Sequence, residues 1–448
     1  MSFGFWTLPR VLRERSTQER SCRWSRAQLL AHQTRSLAAL RRTALAHSPF
    51  YREFHRGLER APIEALPILT KQLLMERFDD LVTDRQVKLH DAEAYLSGGA
   101  SGLYLDRYVV LATSGSTGRR GVFLFSGDEW IRAIASITRP INWAGRKSRR
   151  PPRAALIAAA APWHYSARVG AALANRVAPA LRLDAATPIP ELVKALNDWQ
   201  PQALATYPSV LRQLTAEQIA GRLRIPLENV ATSAEVLTED VRAAVRRAWS
   251  IGVQDTYGAT EYAPIATECL QGRKHLLEDG ALIEIVDERG RPVPNGERGA
   301  RLLLTVFRRT TQPLIRYEMS DLVRMSSEPC PCGRPFRVIV AIEGREEDIL
   351  LFRGTDGQPV SVHPNRFHNL LERVPLAAWQ IEQTATGLIV RLVGADGSAP
   401  MIENELRLLL RQLNIDPPPI EIRQIPQLTR GASGKAPLII ARRLIQSP

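Results

Sequence analysis

No run of about 18 consecutive apolar residues occurs in the sequence, so nothing in it reads as a membrane-spanning helix. The opening segment "MSFGFWTLPRVLRER" lacks both an uninterrupted apolar stretch and a small-residue cleavage site, and the expected location is the cytoplasm. Four cysteines in 448 residues are too few for a disulfide scaffold, which suits a reducing compartment. Internal repeats and low-complexity tracts are absent, as are helix-turn-helix, RNP and zinc-finger patterns. The formal net charge of +14 therefore does not announce a nucleic-acid binder, because its arginines are interleaved with acids, as in "RERSTQERSCRWSR". No nucleic acid and no membrane are expected as partners, whereas an anionic nucleotide would suit the charge.

What is present is a long chain with 44% hydrophobic residues, enough for a substantial core and for more than one domain. Apolar residues at helical spacing in "AQLLAHQTRSLAALRRTALAH" predict an amphipathic helix within about residues 20–50. Thr70 is placed to cap a helix over "KQLLMERF", and Thr238 to cap one over "EDVRAAVRRAW". From residue 154 to 258, "AALIAAAAP", "IPELVKALNDW", "ALATYPSVLRQL", "NVATSA" and "GVQDTYG" alternate strand and helix. That rhythm predicts an α/β fold with a largely parallel sheet. From about 281 the pattern turns to β, with "ALIEIVDE" and "ARLLLTVF" as a hairpin, and "IEIRQI" reads as the final strand. The expected organisation is a large N-terminal domain of mixed sheets and helices, 1–344, and a small C-terminal α+β domain, 345–448, joined by a hinge.

Four stretches carry chemistry. "TSGSTGRR" (Thr113, Ser114, Gly115, Ser116, Thr117, Gly118, then Arg119 and Arg120) joins two apolar runs. Its bare backbone and small hydroxyls can hold phosphate oxygens, although plain hairpin loops share this composition. "YGATE" offers Tyr257 to stack on a base, Thr260 to reach a phosphate and Glu261 to hold Mg²⁺. Asp321 in "PLIRYEMSDL" is suited to accept hydrogen bonds from ribose hydroxyls, and Lys435 lies in a Gly/Ser loop, "RGASGKAP". Separately, Cys269, His275, Cys330 and Cys332 make a sufficient tetrahedral zinc set, or a group of buried, unliganded cysteines with a neighbouring histidine.

Taken in order, "LATSGSTG", "YGATE", "PLIRYEMSDL", "GREED" and "ASGK" resemble the motifs of the adenylate-forming enzymes. "HSPFYREF", "LPILTKQLL" and "CPCGR" are similar to segments of the phenylacetate-CoA ligase and coenzyme F390 synthetase branch. The resemblance implies a ligase that joins a carboxylic acid to ATP with Mg²⁺, releases pyrophosphate and passes the acyl group to CoA or another nucleophile. It implies that residues 113–118, Glu235, Tyr257, Gly258, Asp321 and Arg345 bind the nucleotide. Thr260, Glu261 and Lys435 would serve the chemistry, with Glu261 as the Mg²⁺ ligand. It favours a structural Zn²⁺ on Cys269, His275, Cys330 and Cys332, and is compatible with a homodimer.

The chain departs from the pattern at Arg119–Arg120, where lysine is usual; at Glu347 of the hinge, where aspartate is usual; and at "RGTDGQPVSVHP", which replaces the segment that lines the CoA channel. An amine, a carrier-protein thiol or adenylyl transfer in the F390 synthetase manner thus stay open as ends of the reaction. A non-catalytic scaffold or nucleic-acid binder would be expected to lack these motifs. "APWHYSARVG", with Trp163, His164 and Tyr165, lies where the resemblance places the acid, and its aromatics suit an aryl or arylacetic acid.

Overall fold

The computed structural model describes residues 7–99, 102–113, 120–139, 143, 152–173, 180–319, 321–345, 349–362, 364–371, 374, 376–394, 397–429 and 436–441. Its largest element is a mixed sheet of nine strands. From one edge these are Asp321–Met325, Val338–Arg345, Lys274–Leu276, Ala266–Glu268, Val253–Tyr257, Asn229–Ser233, Ala203–Thr206, Ala154–Ala158 and Ala180–Asp184. The last five run parallel and the others pair antiparallel.

The parallel half follows from the strand and helix alternation, since parallel neighbours need a crossover and a helix is the compact way to make one. Helices Ile189–Trp199, Pro208–Ile219 and Glu239–Trp249 bury Leu192, Leu196, Val210, Leu211, Leu214, Val241 and Val245 in a core shared with Ile157, Leu204 and Val230. A second core joins the antiparallel hairpin Tyr108–Ala112/Val122–Ser126 to the three-stranded sheet of Ala281–Val286, Arg301–Val306 and Tyr317–Met319. A third is made only of residues from 350 to 441, around the sheet Ile420–Gln424, Leu388–Val393, Ala378–Gln383 and Ile439–Ile440.

Several local expectations hold, and two change. Thr70 caps its helix, accepting from the Leu73 amide at 3.2 Å. The helix expected within about 20–50 is present as Arg26–His47, and a further helix, Thr7–Ser21, precedes it. Ser25 opens Arg26–His47 with a reciprocal capping box to Gln28, which starts a new helix after the turn at residues 22–24. Thr238 occupies the N-cap position, but its hydroxyl receives Arg212 at 3.2 Å and does not accept from the helix. "IEIRQI" is not the final strand, because Ile439–Ile440 adds beside Ala378–Gln383.

Candidate nucleotide and metal sites

Ala112 and Val122 end the hairpin register, and the next pair closes its neck: Thr113 donates its amide to the Gly121 carbonyl, and the Gly121 amide donates to Thr113 Oγ1, both at 2.9 Å. Ser114, Gly115, Ser116, Thr117, Gly118 and Arg119 lie outside the described residues. Arg120 places its guanidinium 5.6 Å from the Trp163 ring centroid, and the Trp163 carbonyl accepts from the Ala112 amide. The "APWHY" segment is thereby brought to the base of the hairpin.

Tyr257 and Glu235 emerge at the carboxyl ends of adjacent parallel strands, the edge at which open α/β sheets bind ligands. Ala234 turns the chain there with φ 71°, a left-handed conformation that costs a non-glycine residue on the order of 1 kcal/mol. Glu235 accepts from the Ser209 amide at 2.9 Å, at the start of the helix after the neighbouring strand. Gly258 permits a close return of the chain, since a Cβ there would stand 3.0 Å from the Cβ of Ala263. Thr260 is partly exposed on this turn.

Glu261 is buried, 7% exposed, and its Oε1 accepts from the Tyr317 hydroxyl at 3.1 Å. Burial, reinforced by the Glu261 charge, pushes the Tyr317 hydroxyl well above the usual phenol range, so it stays a donor. The Glu261 carbonyl accepts from Arg309, a residue that the motifs did not single out. Arg309 stacks on Phe125, 4.1 Å from ring centroid, and donates to the carbonyls of Gln312 and Leu124. Burial lowers it to about 10, opposed by Glu129 and Glu261, which leaves it charged at neutral pH.

Gln312 completes this splice. It donates to the Val122 carbonyl and accepts from the Leu124 amide, each at 3.0 Å, and so holds the second hairpin strand. The two residues, which shortly precede "PLIRYEMSDL" in the chain, tie "GVFLF" to "YGATE". A signal for them exists in the sequence: "RRTTQ" is a polar interruption between the apolar runs 301–307 and 313–315. Its burial is not legible from that pattern.

Asp321 is buried and faces Arg345 in register across the antiparallel pair, which brings the two expected ribose residues to one place on the backbone. Lys435 lies outside the described residues, as do Glu346, Glu347 and Asp348. The expected aromatic segment does not form one wall. Trp163 meets Arg120, whereas Tyr165 donates to the Ala263 carbonyl at 2.9 Å and lines a cavity of about 300 Å³ with Phe125, Tyr262 and Phe307.

At the antiparallel flank, Cys269 follows the strand Ala266–Glu268, His275 lies on Lys274–Leu276, and Cys330 and Cys332 occupy the turn before Val338–Arg345. Their donor atoms all lie within 4.8 Å of one another. The Cys269 and Cys330 sulfurs are 3.8 Å apart, and Cys332 Sγ is 3.3 Å from His275 Nε2. The other ring nitrogen, Nδ1, lies 3.1 Å from the Phe336 carbonyl; donating there would leave Nε2 with its lone pair toward the sulfurs. Burial lowers the His275 pKa and so favours the neutral, ligating form.

Comparisons with known proteins agree with this layout. Residues 103–303 match the family model for AMP-binding enzymes. Phenylacetate-coenzyme A ligase of Thermus thermophilus is 32% identical over 192 residues, 41% of this chain and 42% of that enzyme. The chain thus spans less than half the length of the phenylacetate-coenzyme A ligases that it matches. Protein CapK of Staphylococcus aureus is 23% identical over 74% of this chain and 70% of its own length. The fold is shared with a 2-hydroxyisobutyryl-CoA ligase solved in its postadenylation state, with TM-score 0.72, 20% identity and coverage of 95% and 92% of the two chains. Over residues 103–303 the chain is thus similar to AMP-binding enzymes, and over less than half of its length to phenylacetate-coenzyme A ligases.

Proposed function

We propose that the protein activates a carboxylic acid with ATP and transfers the acyl group to CoA. The observation that carries this reading is the meeting of the "YGATE" and "PLIRYEMSDL" segments at Glu261, with its carboxylate held by Tyr317 and its backbone by Arg309. In the first step a carboxylate oxygen attacks the α-phosphorus of ATP, the bond to the bridging oxygen breaks, and pyrophosphate leaves with the electron pair. Both reactants are anions, so alignment and positive charge matter more than proton transfer. Mg²⁺, when bound, would neutralise the phosphate oxygens. Glu261 would hold it with its carboxylate, Thr260 would contact phosphate, Tyr257, Gly258 and Glu235 would border the adenine, and Asp321 with Arg345 would bind the ribose. In the second step the CoA thiolate attacks the acyl carbon and AMP departs.

For the cysteine cluster we propose structural Zn²⁺. Three sulfurs and one imidazole close a tetrahedral shell and leave no open position for catalysis. Residues 1–344 and 345–448 would act as two bodies that turn about the hinge near Glu347, with Lys435 on the smaller one approaching the α-phosphate. The cavity beside Tyr165 supports an aryl or arylacetic acid, because Phe125, Tyr262 and Phe307 offer aromatic faces.

The test is pyrophosphate release from ATP across aryl, arylacetic, amino and fatty acids, with and without CoA. Release should require an acid, and Glu261→Gln should reduce it on the order of 10²-fold. Folded wild-type protein that releases no pyrophosphate with any of these acids would overturn the reading.

A further inference from the structure

Lys71 begins the helix Lys71–Glu76, in the segment "LPILTKQLL", to which no site role was assigned above. Its Nζ lies 3.3 Å from Thr113 Oγ1, the hydroxyl that also receives the Gly121 amide at the neck of the hairpin. The side chain reaches there across Gly121: a Cβ at that glycine would stand 3.1 Å from Lys71 Cε and 2.8 Å from the Phe123 ring. The lysine is half-buried, and among the described residues no carboxylate pairs with it. A partly desolvated ammonium without a counter-charge is a costly arrangement unless an anion completes it.

The position of the anion follows from the backbone. Leu69, two residues earlier, bridges Tyr317: the Leu69 amide donates to the Arg316 carbonyl at 3.0 Å, and the Glu318 amide donates to the Leu69 carbonyl at 2.9 Å. Tyr317 in turn donates to Glu261. Lys71 is therefore held at the hairpin neck by its ammonium and tied, through Leu69, to the strand whose Tyr317 reaches the carboxylate assigned to Mg²⁺. Arg120, the described arginine of the hairpin connection, has its guanidinium over Trp163.

We propose that Lys71 is a phosphate-binding residue that holds the β- or γ-phosphate of ATP, an inference that rests on the ATP-dependent reading above. An ammonium acts as a point charge with three rotatable donors, so it can keep Thr113 and still donate to a phosphate oxygen. Its contact lies beyond the α-phosphate and disappears with pyrophosphate, so it should discriminate ATP from AMP.

The experiment is direct nucleotide binding by calorimetry to the full chain, with ATP, ADP and AMP and no acid present. Lys71→Ala should weaken ATP about tenfold or more, as expected for loss of a charge-assisted hydrogen bond, and should change AMP by less than about twofold. Lys71→Arg should recover part of the loss. ADP locates the contact, since a loss shared by ADP and ATP assigns the β-phosphate and a loss confined to ATP assigns the γ-phosphate. Unchanged ATP binding in Lys71→Ala, or equal weakening of ATP and AMP, would overturn the assignment; the second result would make the lysine a strut for Thr113. Wild-type protein that binds no ATP would instead overturn the proposed function, so the two failures are distinct.

Discussion

The two polar clusters of the nine-stranded sheet are built in opposite ways. At the parallel end, Tyr257 closes its strand while Glu235 and Glu261 lie on turns that follow strand ends, where Ser209, Tyr317 and Arg309 hold them. At the antiparallel flank, Cys269, His275, Cys330 and Cys332 converge on one another within 4.8 Å. The first arrangement consists of side chains held by partners of other kinds; the second is four donors that would close around a single ion. Damage to the first should cost turnover more than folding, and damage to the second should do the reverse.

The strongest way to break that contrast is at the proposed metal centre. Chelation, or Cys330→Ser, should destabilise the fold on the order of 5 kcal/mol, below the roughly 10–16 kcal/mol of zinc-finger peptides because strand pairing already positions the donors. Thermal denaturation with and without Zn²⁺ measures this loss, while nucleotide binding at low temperature should persist. Loss of nucleotide binding from still-folded, metal-free protein would show that the clusters are not separate.

Arg309→Met should blur the contrast from the other side. It leaves the carbonyls of Glu261, Leu124 and Gln312 short of a donor, at about 1–3 kcal/mol for each buried acceptor that finds no substitute. We expect a total near 3 kcal/mol by urea unfolding, together with a fall in pyrophosphate release larger than the unfolded fraction explains. An apolar replacement that left both quantities unchanged would remove Arg309 from the support of Glu261.

A residue outside both clusters supplies a control of similar size. His55 is buried, and that burial, with the nearby Arg41 charge, lowers its pKa to about 4 from an ordinary 6.5. The unfolded state therefore binds the extra proton first as pH falls, so the stability from keeping this ring neutral is full above about pH 6.5 and lost progressively toward pH 4. The loss should be about 3 kcal/mol, and His55→Leu should flatten that part of the stability-pH curve. Equal slopes for wild type and variant would contradict it.

The smallest change sharpens the comparison most. Tyr317→Phe removes one hydrogen bond to Glu261 and should cost only about 1 kcal/mol of stability. With Glu261 less constrained, the Mg²⁺ concentration for half-maximal pyrophosphate release should rise about fivefold, measured against unchanged affinity for AMP. An unaltered Mg²⁺ requirement would make the hydrogen bond purely structural.

Much of this molecule could be read before its fold was known. The strand and helix alternation from 154 to 257 gave the parallel sheet, because apolar periodicity reports directly on which face is buried. The hairpin around "TSGSTGRR" was likewise visible in two apolar β-rich runs with a Gly/Ser connection. Other features were hidden because they depend on distant partners. Thr238 looks like a cap in isolation, yet Arg212 takes its hydroxyl. Arg309 and Gln312 read as loop polarity, and only packing against Phe125 and the hairpin strand buries them.

The sequence by itself determined the local elements, the family motifs and the four residues able to form a metal centre, because these are set by residue chemistry and short-range periodicity. Only the tertiary structure decided that Tyr317 reaches Glu261, that the four donors converge and that Lys71 stands at the neck of the hairpin. The contacts that make these meetings join residues 42 to 61 positions apart. Such proximity is fixed by how strands and helices pack together, which no local pattern encodes.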